Sequence, residues 1–171
     1  MVSRYRQIFH PKRDKLPDGT EVRLVPLERT NSRPLYVTND GRPFSHVRGY
    51  RPLATIADTS KTNKYNGRRK QKYRKMSNSF HCVLVHHAVA LAWIGPQPTY
   101  ISPRTGKETK CVIDHLNGIT TDNRVENLEW VTREENDRRA RILRAMRAAG
   151  LNPRTYSRAE LLAVFQNYTV D

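Results

Sequence analysis

One stretch, CVIDHLNGITTDNRVENLEWVTREEN at residues 111–136, limits the folds open to this chain more than any other. Cys111–Asp114 and Leu128–Thr132 read as short strands. The polar loop between them holds Asn117-Gly118 and Asp122-Asn123, and the second strand runs directly into a helix expected over Arg133–Ala149 and ended by Gly150. Strand, loop, strand and helix in so few residues form a compact ββα unit. It gathers polar positions distant along the chain: Asp114 and His115 at the end of the first strand, Asn127 at the entry to the second, and Asn136 in the first helical turn. Successive strand residues face opposite sides of a sheet, so the strand end has to bend if 114 and 115 are to serve one site.

Charge narrows the partners. The 171 residues carry 31 Lys/Arg against 16 Asp/Glu, and 19 of those cations with only 6 of the acids lie in residues 1–80. The densest run is KTNKYNGRRKQKYRK, Lys61–Lys75, with Tyr65 and Tyr73 interleaved. Such a run neutralises phosphates and releases counterions, and its rings can lie against a sugar or base. A solvated loop or a localisation tag is the plainer reading. A membrane surface fits less well, because no apolar residues alternate with the charges, and no apolar run approaches a membrane span. Cys82 and Cys111 form no CxxC pair. With no apolar leader after Met1-Val-Ser-Arg, reduced thiols and an intracellular setting are expected.

Along the chain, residues 1–34 read as an arm with one short strand at Glu21–Leu24. Tyr36–Ser45 reads as strand, Asn-Asp-Gly turn and strand. Arg51–Lys75 reads as strands joined by a basic loop, Phe80–Val85 as a strand, and His86–Ile94 as a helix stopped by Gly95-Pro96. Pro98–Lys110 is expected to be a loop turning at Arg104–Lys107. On the helix beginning at Arg133, Ile142, Leu143 and Met146 form an apolar stripe, and six arginines cover the rest. Ser157 with Glu160 is a capping-box pattern opening a last helix. The expected organisation is a basic β-rich arm (1–79), a core (80–150) and a C-terminal helix (151–171), an α+β chain overall.

Hydrolysis of a phosphodiester needs a base for water and a hard cation at the phosphate. An imidazole titrating near neutrality suits the first task, and a carboxylate with an amide oxygen suits magnesium, which keeps its waters and takes few protein ligands. A His, Asp and Asn set without cysteines argues against structural zinc, and His81, Cys82 and Cys111 lack finger spacing.

Asp114-His115-Leu-Asn-Gly118, Asp122-Asn123-Arg-Val-Glu-Asn127-Leu-Glu-Trp130-Val-Thr132 and Glu135-Asn136 together resemble the HNH homing endonucleases of phages, most closely the intron-encoded nicking type. Val85-His86-His87-Ala-Val-Ala90 with Trp93 is similar to the helix preceding that motif, and Tyr36-Val-Thr-Asn39-Asp-Gly41 with Ser45 resembles, more faintly, a small module N-terminal to it. The resemblance implies a ββα-metal core and a metal-dependent DNA endonuclease, with His115 as general base. Asp114 and Asn136 would ligate one magnesium or manganese ion, and Asn127 would hold the loop and orient His115. Asn117 stands where many relatives have Asp, and His87 where an Arg is common.

The expected partner is double-stranded DNA, bound by a monomer with no role for a membrane; if phage-encoded, the protein would act in the cytoplasm of a bacterial host. Arg68, Arg69, Lys70, Lys72, Arg74 and Lys75 of the basic run, with Arg138 and Arg141 of the helix, are the expected nucleic-acid contacts. Asn123 is expected to close a turn, Trp130 to be core, and His86 to be a structural histidine with its hydrogen bonds met. The competing reading is a non-catalytic basic DNA- or RNA-binding protein, its last helices arranged like a helix-turn-helix; a ribonuclease would share the site and differ in substrate.

Overall fold

The computed structural model describes residues 12–27, 34–46, 49–57, 73–77 and 82–168. Strands β1 (Arg13–Lys15), β2 (Glu21–Leu24), β3 (Leu35–Thr38), β4 (Pro43–His46) and β5 (Tyr50–Pro52) form an antiparallel five-stranded sheet in chain order. Glu21–Leu24 is thus a strand within a sheet, flanked by β1 and β3. The Asn-Asp-Gly turn works as expected. Gly41, at φ +86°, takes a backbone shape that Cβ-bearing residues disfavour. Strands β6 (Thr55–Ala57), β7 (Arg74–Ser77) and β8 (Cys82–Leu84) form a second antiparallel sheet.

β8 leads without a break into α1 (Val85–Val89), which continues as a π turn, Ala90–Ile94, where a uniform α-helix was expected. The wider turn seats the Trp93 indole. Its Nε1 donates to the Val37 carbonyl at 3.1 Å, and the Arg23 guanidinium lies 3.9 Å above the ring. Gly95, at φ +133°, ends the turn.

The expected loop at 98–110 is instead a hairpin of β9 (Thr99–Ile101) and β10 (Glu108–Lys110). Its side chains are largely exposed on both faces, so no apolar alternation marks it in the sequence. Tyr100 secures it by donating its hydroxyl to Glu134 at 2.7 Å and accepting from the Arg133 amide at 3.2 Å. The ββα unit follows: β11 (Val112–His115) pairs antiparallel with β12 (Leu128–Val131), and α2 (Arg133–Ala148) packs back on β11. The Thr132 side chain caps α2 by accepting from the Glu135 amide. Ser157 and Glu160 complete the capping box that starts α3 (Arg158–Asn167).

Buried clusters cross the composition boundaries at 79/80 and 150/151. Val25, Leu35 and Val37 of the first sheet share a core with Met76, Val85, Val89 and Leu128. The α2 stripe Ile142, Leu143 and Met146 packs with Leu116 and, from α3, Leu161 and Phe165. Trp130 is half-buried, with Nε1 donating to the Gly95 carbonyl and its ring edge-on to His87, so it faces α1 and the π turn. Cys82 and Cys111 are both free thiols. Among the described residues no helix is long and apolar enough to cross a membrane.

The β3–β4 turn also braces the loop between β11 and β12. The Val125 amide donates to the Asn39 carbonyl at 2.7 Å, and a Cβ placed on Gly41 would come 2.9 Å from Asn123 Cβ. Gly41→Ala should therefore combine left-handed strain with a displaced Asn123. We expect a loss of at least about 1–2 kcal/mol, read as a lower urea midpoint with an unchanged m-value.

Candidate active site

β11 ends at His115 because the chain turns at once. The Gly118 amide donates to the His115 carbonyl at 2.6 Å, and the Leu116 amide to the Asn127 carbonyl at 2.9 Å. Gly118 sits at φ +68° under α2, where an added Cβ would lie 2.5 Å from Arg147 Nη2 and 3.0 Å from Leu143 Cδ1. Asn127 is buried and clamps this loop from both sides: its Oδ1 accepts from the Asn117 amide at 3.0 Å, and its Nδ2 donates to the Asp122 carbonyl at 2.8 Å. Asn117, where relatives carry Asp, closes the same loop. It donates to Asp122 at 2.8 Å and accepts from the Ile119 amide at 2.9 Å.

The side chain that accepts a hydrogen bond from His115 is Asn123 rather than Asn127. His115 Nε2 lies 3.3 Å from Asn123 Oδ1. An amide oxygen only accepts, so this contact puts the ring proton on Nε2 and leaves the lone pair on Nδ1. The ring is buried and packs edge-on to His86 at 5.2 Å between centroids, with Tyr73 at 6.1 Å. Burial pushes the imidazole below its ordinary value, against the pull of Asn123 and Asp122, so it stays neutral at neutral pH.

His86 is buried too, but its hydrogen bonds are not met as expected: Nδ1 has no partner. Burial, with His115 and His87 nearby, pushes it down to about 3.

Asp114 is buried, and burial pushes its carboxyl above the usual carboxylate range while Arg139 pulls it back. Arg139 is the major element that the sequence reading missed. Its side chain is 10% exposed, and it donates to Asp114 Oδ2 at 3.3 Å, Glu129 at 2.6 Å and Glu135 at 2.7 Å. It also lies 5.0 Å from the Phe165 ring centroid. Its spacing gave the available signal, since 139 falls on the stripe of 142, 143 and 146.

Asp114, His115 and Asn136 line one cleft of about 490 Å³, together with Tyr73, Arg141 and Arg144. The Asn136 side chain makes no hydrogen bond to another described residue, so its amide oxygen is available. One carboxylate and one uncommitted amide on the same cleft fit a hard, water-rich dication. No cluster of three or more His, Cys, Asp or Glu among the described residues would bind a metal.

The expected basic contacts divide. Arg68, Arg69, Lys70 and Lys72 lie outside the described residues. Arg74 is exposed and Lys75 half-buried on β7, away from the cleft lining. Arg138 is also outside that lining, held bidentate by Glu135 at 2.7 and 2.8 Å and donating to the Tyr168 carbonyl. Arg141 lines the cleft.

His86 gives a pH test. Its folded value lies far below the ordinary 6.5, so the unfolded chain takes up the proton first and stability falls as pH drops from 6.5 toward about 3. His86→Phe should remove this component. The variant should match or exceed wild-type stability at about pH 7 and lose less of it by about pH 5. Urea midpoints at the two pH values read the difference, and parallel losses would contradict it.

Comparison with known proteins places this arrangement. Residues 83–138 match the family model described as HNH endonuclease. Over 52 residues the chain is 42% identical to an uncharacterised HNH endonuclease of Acanthamoeba polyphaga mimivirus, spanning 30% of this chain and 11% of that protein. It also aligns with a solved structure of DNA binding and cleavage by the HNH homing endonuclease I-HmuI. There the TM-score is 0.42 and the identity 21%, covering 68% of this chain and 60% of the other. This chain thus corresponds to a small part of the mimivirus protein and under two thirds of the solved one. The matched stretch, residues 83–138, holds Asp114, His115, Asn127 and Asn136 and is similar to HNH endonucleases.

Proposed function

We propose that this chain is a metal-dependent HNH endonuclease of the homing or nicking kind, acting on double-stranded DNA as a monomer with one magnesium or manganese ion per site. The observation that carries the reading is the convergence of Asp114, His115 and Asn136 on one cleft, with the His115 tautomer set by Asn123. A protein that only binds nucleic acid has no need of that set.

His115 Nδ1 takes the proton of a water as its oxygen bonds to phosphorus and the bond from phosphorus to the 3′ oxygen breaks, the departing oxygen taking a proton from solvent water. The products are a 5′-phosphate and a 3′-hydroxyl. Burial keeps the base unprotonated near neutrality, and Asn123 stops the ring from turning. Asp114 and Asn136 would hold the ion, which when bound supplies electrophilic stabilisation at the phosphate and its departing oxygen. Arg139 favours the ionised form of Asp114 against its burial. One site per chain favours cutting one strand. The basic run of 61–75 would lie along the duplex backbone.

A plasmid-nicking assay with magnesium against EDTA tests the reading. Chelation should stop cleavage. His115→Ala should slow it by about 100-fold or more with affinity for DNA in EDTA retained. Asn123→Ala, which frees the ring without removing it, should fall between His115→Ala and wild type. On the acid side, cleavage should decline only as pH falls through a value below 6.5, since the His115 shift is downward. Cleavage by His115→Ala at the wild-type rate would remove the base from the mechanism.

A further inference from the structure

The cleft has two unlike walls. α2 forms one, and its six arginines have separate fates. Arg133 is exposed at the helix start; Arg138 is tied to Glu135; Arg139 is interior; and Arg147, exposed at the far end of the cleft lining, is pinned over Gly118 by donating to the Asn117 carbonyl at 3.2 Å across the loop. Arg141 and Arg144 remain. Both are exposed and line the cleft. Arg141 has no hydrogen bond or ion pair to a described residue, and Arg144 bonds only the Ala140 carbonyl one turn back at 3.2 Å. Among the described residues, neither guanidinium forms an ion pair with a carboxylate.

At a helical rise of about 1.5 Å per residue, Arg141 and Arg144 stand roughly 7.5 and 12 Å along the axis from Asn136. Asp137, exposed on the same wall beside Asn136, puts negative charge at that end. Arg141 follows Asp137 by one helical turn and Arg144 by about two, so the wall grows more positive toward Arg144 and favours a phosphate in that direction. The other wall carries Tyr73, 40% exposed, with its ring 4.8 Å from His86 and 6.1 Å from His115. An aromatic ring open to a cleft beside a base gives a sugar or nucleobase a stacking surface.

We propose that the cleft takes the cut strand lengthwise: two phosphates beyond the scissile one rest on Arg141 and Arg144, the sugar or base at the cut packs on Tyr73, and Arg138 contacts no nucleic acid. This deepens the nuclease reading and rests on it. It assigns the strand's path by which cations the fold leaves uncompensated, where sequence spacing treats Arg138 and Arg141 alike.

The test is fluorescence anisotropy of the full chain with labelled duplex in EDTA across a salt series. Arg141→Gln and Arg144→Gln should each reduce the slope of log affinity against log salt by about 0.9. Arg138→Gln should leave the slope at the wild-type value. Tyr73→Ala should weaken binding at every salt concentration without moving the slope, and Tyr73→Phe should bind as wild type does. Unmoved slopes for the 141 and 144 variants, an equal shift for 138, undiminished binding by Tyr73→Ala, or no binding of duplex by the wild type would each overturn the proposal. The measurement reads no cleavage, so the two readings fail separately. Slopes that move as stated in a protein that never nicks sink the nuclease reading alone, whereas nicking with unmoved slopes sinks only the strand path.

Discussion

The Arg139 guanidinium is the charge around which the ββα unit is built. It joins β11 through Asp114, β12 through Glu129 and the start of its own helix through Glu135, and it touches Phe165 of α3. Asp114 is buried, and Glu129 and Glu135 are half-buried around the same guanidinium. The guanidinium pulls the Asp114 and Glu135 carboxyls down, against the burial that raises both. Removing one partner of such a buried group typically costs about 3–5 kcal/mol. The carboxylate nearest the cleft is therefore held by the same contact that docks strand to helix, so folding and site geometry share one interaction.

The imidazole beside it is treated in the opposite way. Burial pushes the Asp114 carboxyl up and Arg139 pulls it back, whereas burial pushes the His115 imidazole down, with the Asn123 amide as its partner. His86, also neutral, packs against it without repulsion. Burial thus shifts two adjacent strand residues in opposite directions, the carboxyl up and the imidazole down. The loop that separates them from β12 is clamped by Asn127, so neither side chain can drift without breaking a buried hydrogen bond.

Much of this was legible from the residues. The ββα order, the hairpin at Asp40-Gly41, the α2 stripe and the Ser157 capping box all rest on local patterns of period, turn chemistry and spacing. What escaped was set by tertiary contact. The hairpin at 99–110 has no buried face, so it carries no alternation to read. The π turn at Ala90–Ile94 depends on where Trp93 finds a carbonyl, which lies in another sheet. The roles of Asn123 and Asn127 cannot be told apart in a sequence in which both flank the same turn. Arg139 was read as surface because arginine usually is, although its position on the apolar stripe placed it inside.

The contact between the β3–β4 turn and the loop before β12 has a consequence for how such a segment travels between proteins. Asn39 and Gly41 sit against Val125 and Asn123, and Val37 and Leu35 close the core beneath Leu128. The stretch that matches the HNH model is therefore not a portable cassette. Moved into a new host without a hairpin of the same shape, it would bring Asp114, His115 and Asn136 but leave behind the brace on Asn123, the hydrogen-bond partner of the imidazole.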